Sequence, residues 1–381
     1  MGDRRLSIVY LAHQVADYRL CTMKHLAREC APFGDLTLLT SNTAALSEAD
    51  LEAYRSHGTL AVLPGRPLLR LLNSDGEPRF ELHFSWQLLW WLLSRKPDVV
   101  IAEGFGRWAI HGFLLKMLRP RTRVITSYER TRWTERKNSW PRRAVYRALS
   151  RLASGYFING KETRALLQAL GFSSPILSPR NYTCHESFFE LTAIEQRSAK
   201  LHMFVAAQLI DRKGLRELIE AVGRSPSKEA FLLSVVGEGP LASELRQLVE
   251  QQGLTNIVKL LGKVPRNRVL ELLVSCDLAM LPTKEDNWSL SIVEALAAGK
   301  PAVTTQYNGV SGDIVLDGVN GFIFDVANPR SIDQVLERVI DRRQQLAAMG
   351  RAAREIAASV SPASIAKQMR DGILSLHLRD G

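Results

Sequence analysis

The sequence predicts two doubly wound α/β domains, each a parallel sheet flanked by helices, facing a ligand cleft. Three observations carry this. The chain has 381 residues, more than one ordinary core of about 100–200 residues holds. Short apolar runs rich in β-branched residues alternate with helical stretches, the pattern of a parallel sheet. That alternation starts again after a polar stretch at mid-chain.

In the first half, segments 7–12 (SIVYLA), 35–40 (DLTLLT), 98–103 (DVVIAE), 123–128 (RVITSY) and 155–158 (GYFI) read as buried parallel strands, short, apolar, rich in β-branched residues and mostly bounded by turn or polar residues. Helices are expected between them, as over 18–30 and 146–153. In the second half, strands are expected over 202–206, 231–236, 257–260, 278–281, 302–305 and 322–324. Helices follow most of them, over 214–222, 241–251, 269–275, 290–298 and 332–340. Segment 177–200, with Ser178-Pro179 and the polar run 195–200, reads as the junction. The expected domains are 1–185 and 186–381, with a last helix at about 362–378 packing back on the first. Ligands of open α/β sheets bind beyond the carboxyl ends of the strands.

Composition narrows the class. Hydrophobic residues are 46% and charged residues 23%, a globular balance. The longest apolar run, FSWQLLWWLL at 84–93, is half of the roughly 20 residues a membrane span needs. The N-terminal MGDRRLSIVYLAHQ reads as a first strand, since no small-residue cleavage site follows it. The expectation is a cytoplasmic protein, touching a membrane from its inner face only. Cys21, Cys30, Cys184 and Cys276 form no C-x-x-C pair and have no histidine at zinc-ligand spacing, which points to buried thiols in a reducing compartment.

The net charge of +11 is uneven. Residues 1–190 hold 27 Lys/Arg against 17 Asp/Glu, and the remainder 23 against 22. Segment 107–151 alone has 13 basic and 2 acidic residues. Such asymmetry calls for an anionic partner.

The densest chemistry lies in LPTKEDNWSLSIVEALAAGKPAVTT, residues 281–305. A strand ends, a polar loop follows, and a helix starts near Leu290 with Ser289 in N-cap position; Gly299 and Pro301 end it. Free amides at that helix start, at a strand's carboxyl end, suit a phosphate. Glu294 is the one charge within the helix, and Asp286 lies eight positions earlier. The two carboxylates would flank the anion and accept from hydroxyls on either side of it.

This segment resembles the family 4 retaining glycosyltransferases of the two-domain glycosyltransferase B fold. Their two acidic residues eight apart, small-residue helix, G-x-P and strand appear as Asp286, Glu294 and ALAAGKP. Their closing element appears as DGVNGFIFD, 317–325. LIDRKGLRELIEA (209–221), VVGEGPLASELRQL (235–248) and LLGKVPRNRVLELLVSCDLAMLP (260–282) are similar as well. The resemblance implies that Glu294 holds the donor ribose and Asp286 the hydroxyls of the transferred sugar. It places the Leu290 and Ser291 amides at the diphosphate, Lys213 on the donor phosphate, and the backbone of Gly262, Lys263 and Val264 by the base. It departs in three places: Gln208 replaces the family's arginine, leaving Arg212 to supply a second cation; Asp286 replaces glutamate; Ser289 replaces glycine.

On the acceptor side, Glu129 follows the strand RVITSY where many relatives carry histidine. Glu103-Gly104 and His13 follow two further strands. The implied activity is metal-independent transfer, without cofactor, from a nucleotide-sugar to a glycan or lipid-linked acceptor. Basic segment 107–151, interleaved with Trp108, Trp133, Trp140 and Tyr146, suits an anionic bilayer; no nucleic-acid motif accompanies its charge. A catalytically degenerate binding module and a nucleotide-sugar epimerase on the same fold stay open as alternatives.

Overall fold

The computed structural model describes residues 4–44, 46–64, 69–72, 78–82, 84–106, 108–135, 140–191 and 199–377. Two compact units divide them: Met1–His185 with Pro362–Gly381, and Glu186–Ser361. Arg107, residues 136–139 of the basic segment and 192–198 of the expected junction lie outside the described residues.

The first unit carries strands β1 (Leu6–Gln14), β2 (Gly34–Asn42), β3 (Thr59–Val62), β4 (Leu69–Leu72), β5 (Pro78–Leu82), β6 (Val99–Glu103), β7 (Arg123–Tyr128), β8 (Gly155–Ile158) and β9 (Ile176–Ser178). Helices α1 (Asp17–Cys30), α2 (Glu48–Arg55), α3 (Trp86–Arg95), α4 (Ala109–Leu118), α5 (Trp140–Ser150) and α6 (Gly160–Ala169) connect them. The main sheet runs β3-β2-β1-β6-β7-β8-β9, all parallel; β4 and β5 form an antiparallel pair. The strands are apolar on both faces because helices cover both. Ile8 to Ala12 and Val99 to Ala102 are at most 1% exposed. Leu88 and Leu92 of α3, Phe113 and Leu115 of α4 and Leu166 and Leu167 of α6 share one core cluster, with Tyr146 and Leu149 of α5 packed against it. The C-terminal helix Pro362–His377 packs on α1 and β9, so close that a Cβ on Gly372 would lie 2.5 Å from the Leu177 carbonyl oxygen.

The second unit alternates β10 (Leu201–Ala206), α7 (Leu215–Arg224), β11 (Phe231–Val236), α8 (Ala242–Gln251), β12 (Val258–Gly262), α9 (Arg266–Ser275), β13 (Leu278–Leu281), α10 (Leu290–Ala297), β14 (Ala302–Thr305), β15 (Gly321–Phe324), α11 (Pro329–Asp341) and α12 (Leu346–Ala358). Its parallel sheet runs β12-β11-β10-β13-β14-β15. Helix α7 shows the local logic: Leu215, Leu218, Ile219 and Val222 are buried at helical spacing, one apolar stripe against the sheet.

The doubly wound fold read from alternation is thus the observed one. Three details differ. Strand β9 occupies the start of the expected junction; its three residues are too few to show a period. Strand β3 has no buried residue and so lacks the apolar run that marked its neighbours. Helix α5 begins at Trp140 rather than 146, because its first turn, WPRRA, is basic and carries no apolar stripe. All four cysteines are free and buried, and no described helix is long and apolar enough to cross a membrane.

Candidate functional site

In the second unit the chain reverses its direction of winding between β10 and β13, the switch point at which such sheets bind ligands. The sequence-predicted residues converge there. The turn after β10, Asp211–Lys213, lies against the loop after β13. The Lys284 amide and the Thr283 hydroxyl both donate to the Arg212 carbonyl oxygen, at 2.7 and 3.0 Å. Lys284 Nζ reaches back to Asp211 and Glu217, each at 2.8 Å. Gly214 makes this approach feasible. Its φ is +70°, and a Cβ there would sit 2.0 Å from the Pro282 carbonyl oxygen, a place for glycine only.

The result is that Lys213 Nζ donates directly to Asp286 Oδ2, both side chains only 12% exposed. Arg212 Nη1 lies 3.7 Å from the same oxygen and donates to the Glu285 carbonyl at 3.3 Å. Asp286 is fixed from behind by its own backbone: its amide donates to Tyr307 O and its carbonyl accepts from the Gly309 amide, both 3.1 Å. Two cations and a carboxylate thus stand in front of α10.

Helix α10 starts as the sequence suggests, but Ser289 does not cap it with its side chain. The Ser289 hydroxyl is buried with no hydrogen-bond partner among the described residues. The Ile292 and Val293 amides donate to the Ser289 carbonyl at 3.2 Å; among the described residues no such acceptor serves the Leu290 and Ser291 amides, and both residues are half-buried. Open amides at a helix start suit an anion. Glu294, one turn further, is half-buried. Burial pushes its carboxyl up to about 7, against the pull of the Arg266 cation.

Gln208, just after β10, is exposed and brings no charge. Gly262 ends β12 with φ +69° and open space around its α-carbon; exposed Lys263 and half-buried Val264 follow. Strand order puts β12 three steps from β13, about 14 Å at about 4.8 Å per step. The two ends are therefore spaced for an elongated ligand lying across the carboxyl edge.

In the first unit His13, Glu103 and Glu129 follow or end β1, β6 and β7, neighbours in the sheet. A cavity of about 600 Å³ at that edge is lined by His13, Gln14, Asn42, Glu103, Trp108 and Ala109 among others. Gly104, at φ +66°, has open space around it. Arg19, which the sequence reading passed over, organises this region. It is 6% exposed and pairs with Glu103 at 3.2 Å and Glu129 at 2.5 Å. It also donates to the Tyr10 hydroxyl at 3.0 Å and stacks on Tyr182. Its signal was legible: Arg19, Met23, Leu26 and Cys30 form one buried stripe of α1, and an arginine there requires carboxylates. Trp108, expected among the interfacial aromatics, is instead 2% exposed and part of the core. Tyr146 is half-buried, 5.1 Å from the Phe105 ring.

Residues 191–356 match the family described as glycosyl transferases, group 1. An uncharacterized glycosyltransferase of Methanocaldococcus jannaschii is 26% identical over 159 residues, 42% of this chain and 43% of that protein. The N-acetyl-alpha-D-glucosaminyl L-malate synthase of Bacillus anthracis is 28% identical over 144 residues, 38% of this chain and 37% of its own length. The chain thus spans less than half the length of these relatives. Anabaena HepE in complex with UDP is similar in structure, with a TM-score of 0.74 at 19% identity over 98% of this chain and 100% of that one; HepE has also been solved with UDP-glucose. The chain has the two-domain α/β fold of these structures, and residues 191–356, most of its second unit, match the group 1 glycosyl transferases.

Proposed function

We propose that the chain is a retaining glycosyltransferase that moves a sugar from a nucleoside diphosphate to a hydroxyl of a glycan or lipid-linked acceptor. The observation that carries this is the cluster at the switch point of the second unit: Lys213 on Asp286, with the open start of α10 and the Glu294 carboxyl beside it. Each group has a task in that reaction. The Leu290 and Ser291 amides receive the diphosphate, Glu294 accepts from the ribose hydroxyls, and Asp286 from those of the sugar. The backbone of Gly262 to Val264, across the carboxyl edge from that helix start, lies by the base. As the bond from the sugar's anomeric carbon to the phosphate oxygen breaks, negative charge builds on the leaving diphosphate. Lys213, released from Asp286 by the arriving donor, meets that charge, and Arg212 supports it where Gln208 cannot. The acceptor oxygen bonds to the same face of the sugar, and its proton passes to the departing phosphate. The scheme assigns no step to a metal or cofactor.

The first unit would hold the acceptor in the cavity below His13 and Glu103. Glu129, the candidate acceptor- or sugar-contacting group, and Glu103 are held in this wall by Arg19. In Lys213→Ala, donor turnover should fall about 100-fold or more, with the melting temperature little changed. A fully active Lys213→Ala would remove the residue from the reaction, and an epimerised sugar product formed without any acceptor would favour an epimerase.

A further inference from the structure

Helix α3 turns two tryptophans to solvent. Trp86 is 73% and Trp90 74% exposed, four residues apart on one stripe, while Leu88, Leu89 and Leu92 bury on the other side. Helices α3, α4 and α5 close over the same core cluster, so they share one face of the first unit's sheet. Helix α4 ends there in Met117 and Leu118, 64% and 61% exposed, and α5 exposes Val145. The segments that build this face, 84–96, 109–123, 140–151 and α6 at 160–169, hold twelve Lys/Arg against one Asp/Glu. Arg95, Lys96, Arg121, Arg143 and Arg147 are exposed among them.

We propose that this face docks the chain on a bilayer containing anionic phospholipid, with Trp86 and Trp90 at headgroup level. Indole rings, apolar with one polar N–H, favour that layer, and a surface of predominantly one sign attracts the opposite sign of the leaflet. A protein partner fits less well, since it would have to bring an acidic surface to match this one-sided charge, whereas an anionic leaflet presents it everywhere. The purpose of docking rests on the glycosyl-transfer reading. The Ser85 amide, at the start of α3, donates to His111 Nε2 of α4 at 2.9 Å, and Trp108 and Ala109 at the start of α4 line the cavity. Docking through α3 therefore brings the cavity towards a membrane-anchored acceptor.

The test is flotation of the full chain with vesicles of equimolar phosphatidylglycerol and phosphatidylcholine, and with phosphatidylcholine alone. The chain should float with the anionic vesicles, less so at high salt. The double variant Trp86→Ser, Trp90→Ser should bind about tenfold or more weakly, with unchanged melting and unchanged donor hydrolysis. Wild-type flotation by that folded variant, or no flotation of the native chain, overturns the proposal. So does tryptophan-dependent self-association in place of lipid binding. Hydrolysis without flotation would leave the transfer reading standing and remove only the docking.

Discussion

At the scale of single residues, the site turns on partners that lie far apart in sequence. Asp286 and Glu294 were legible because their eight-residue spacing frames one helix start. The contact of Lys213 with Asp286, 73 positions apart, was not, because no local period encodes it. Glu294 lends itself to a pH test. Its carboxyl is raised from 4.5 to about 7 by burial, so the folded chain holds this proton more tightly than the unfolded chain. Stability therefore falls as pH rises from 4.5 to 7, and the full penalty stands above 7. Glu294→Gln should match the wild type near pH 5 and be more stable near pH 8, by on the order of 2 kcal/mol. Equal effects at both pH values in denaturant unfolding would show that the carboxyl is not buried as described.

At the scale of elements, the strands buried on both faces announced themselves through continuous apolar runs, and β3 and β9 did not because they are short and partly exposed. Loops at the carboxyl edge are set by backbone approach, which glycine reveals. Gly214 is the clearest case, since its φ of +70° and the Pro282 carbonyl 2.0 Å from a Cβ position leave no room for a side chain. Gly214→Ala should push the Asp211–Lys213 turn off the β13 loop and separate Lys213 from Asp286. Donor turnover should drop at least as far as in Lys213→Ala, and the second unit should lose about 2 kcal/mol or more. Wild-type turnover in a folded Gly214→Ala would mean that the turn does not position Lys213.

At the scale of the whole molecule, the charge asymmetry between the halves was plain in the sequence, as was the second half's likeness to glycosyltransferases. The faces on which charge and aromatics sit were not. Trp108 follows a strand in a basic segment and is core; Trp86 and Trp90 sit in the longest apolar run and are exposed. An apolar run of that length does not reveal which of its residues face the sheet until the neighbouring helices are placed. The C-terminal helix joins the first unit's core through Ile365, Met369 and Ile373, each fully buried, although the second unit separates them in sequence. The central claim is that the second unit binds a nucleoside diphosphate at the start of α10. Calorimetric titration of the chain with UDP, GDP, dTDP, ADP and CDP tests it most directly. At least one should bind the wild type, and Glu294→Ala should weaken that nucleotide about tenfold or more, the loss of hydrogen bonds to a charged group. Binding of none, or equal binding by a folded Glu294→Ala, would contradict the account.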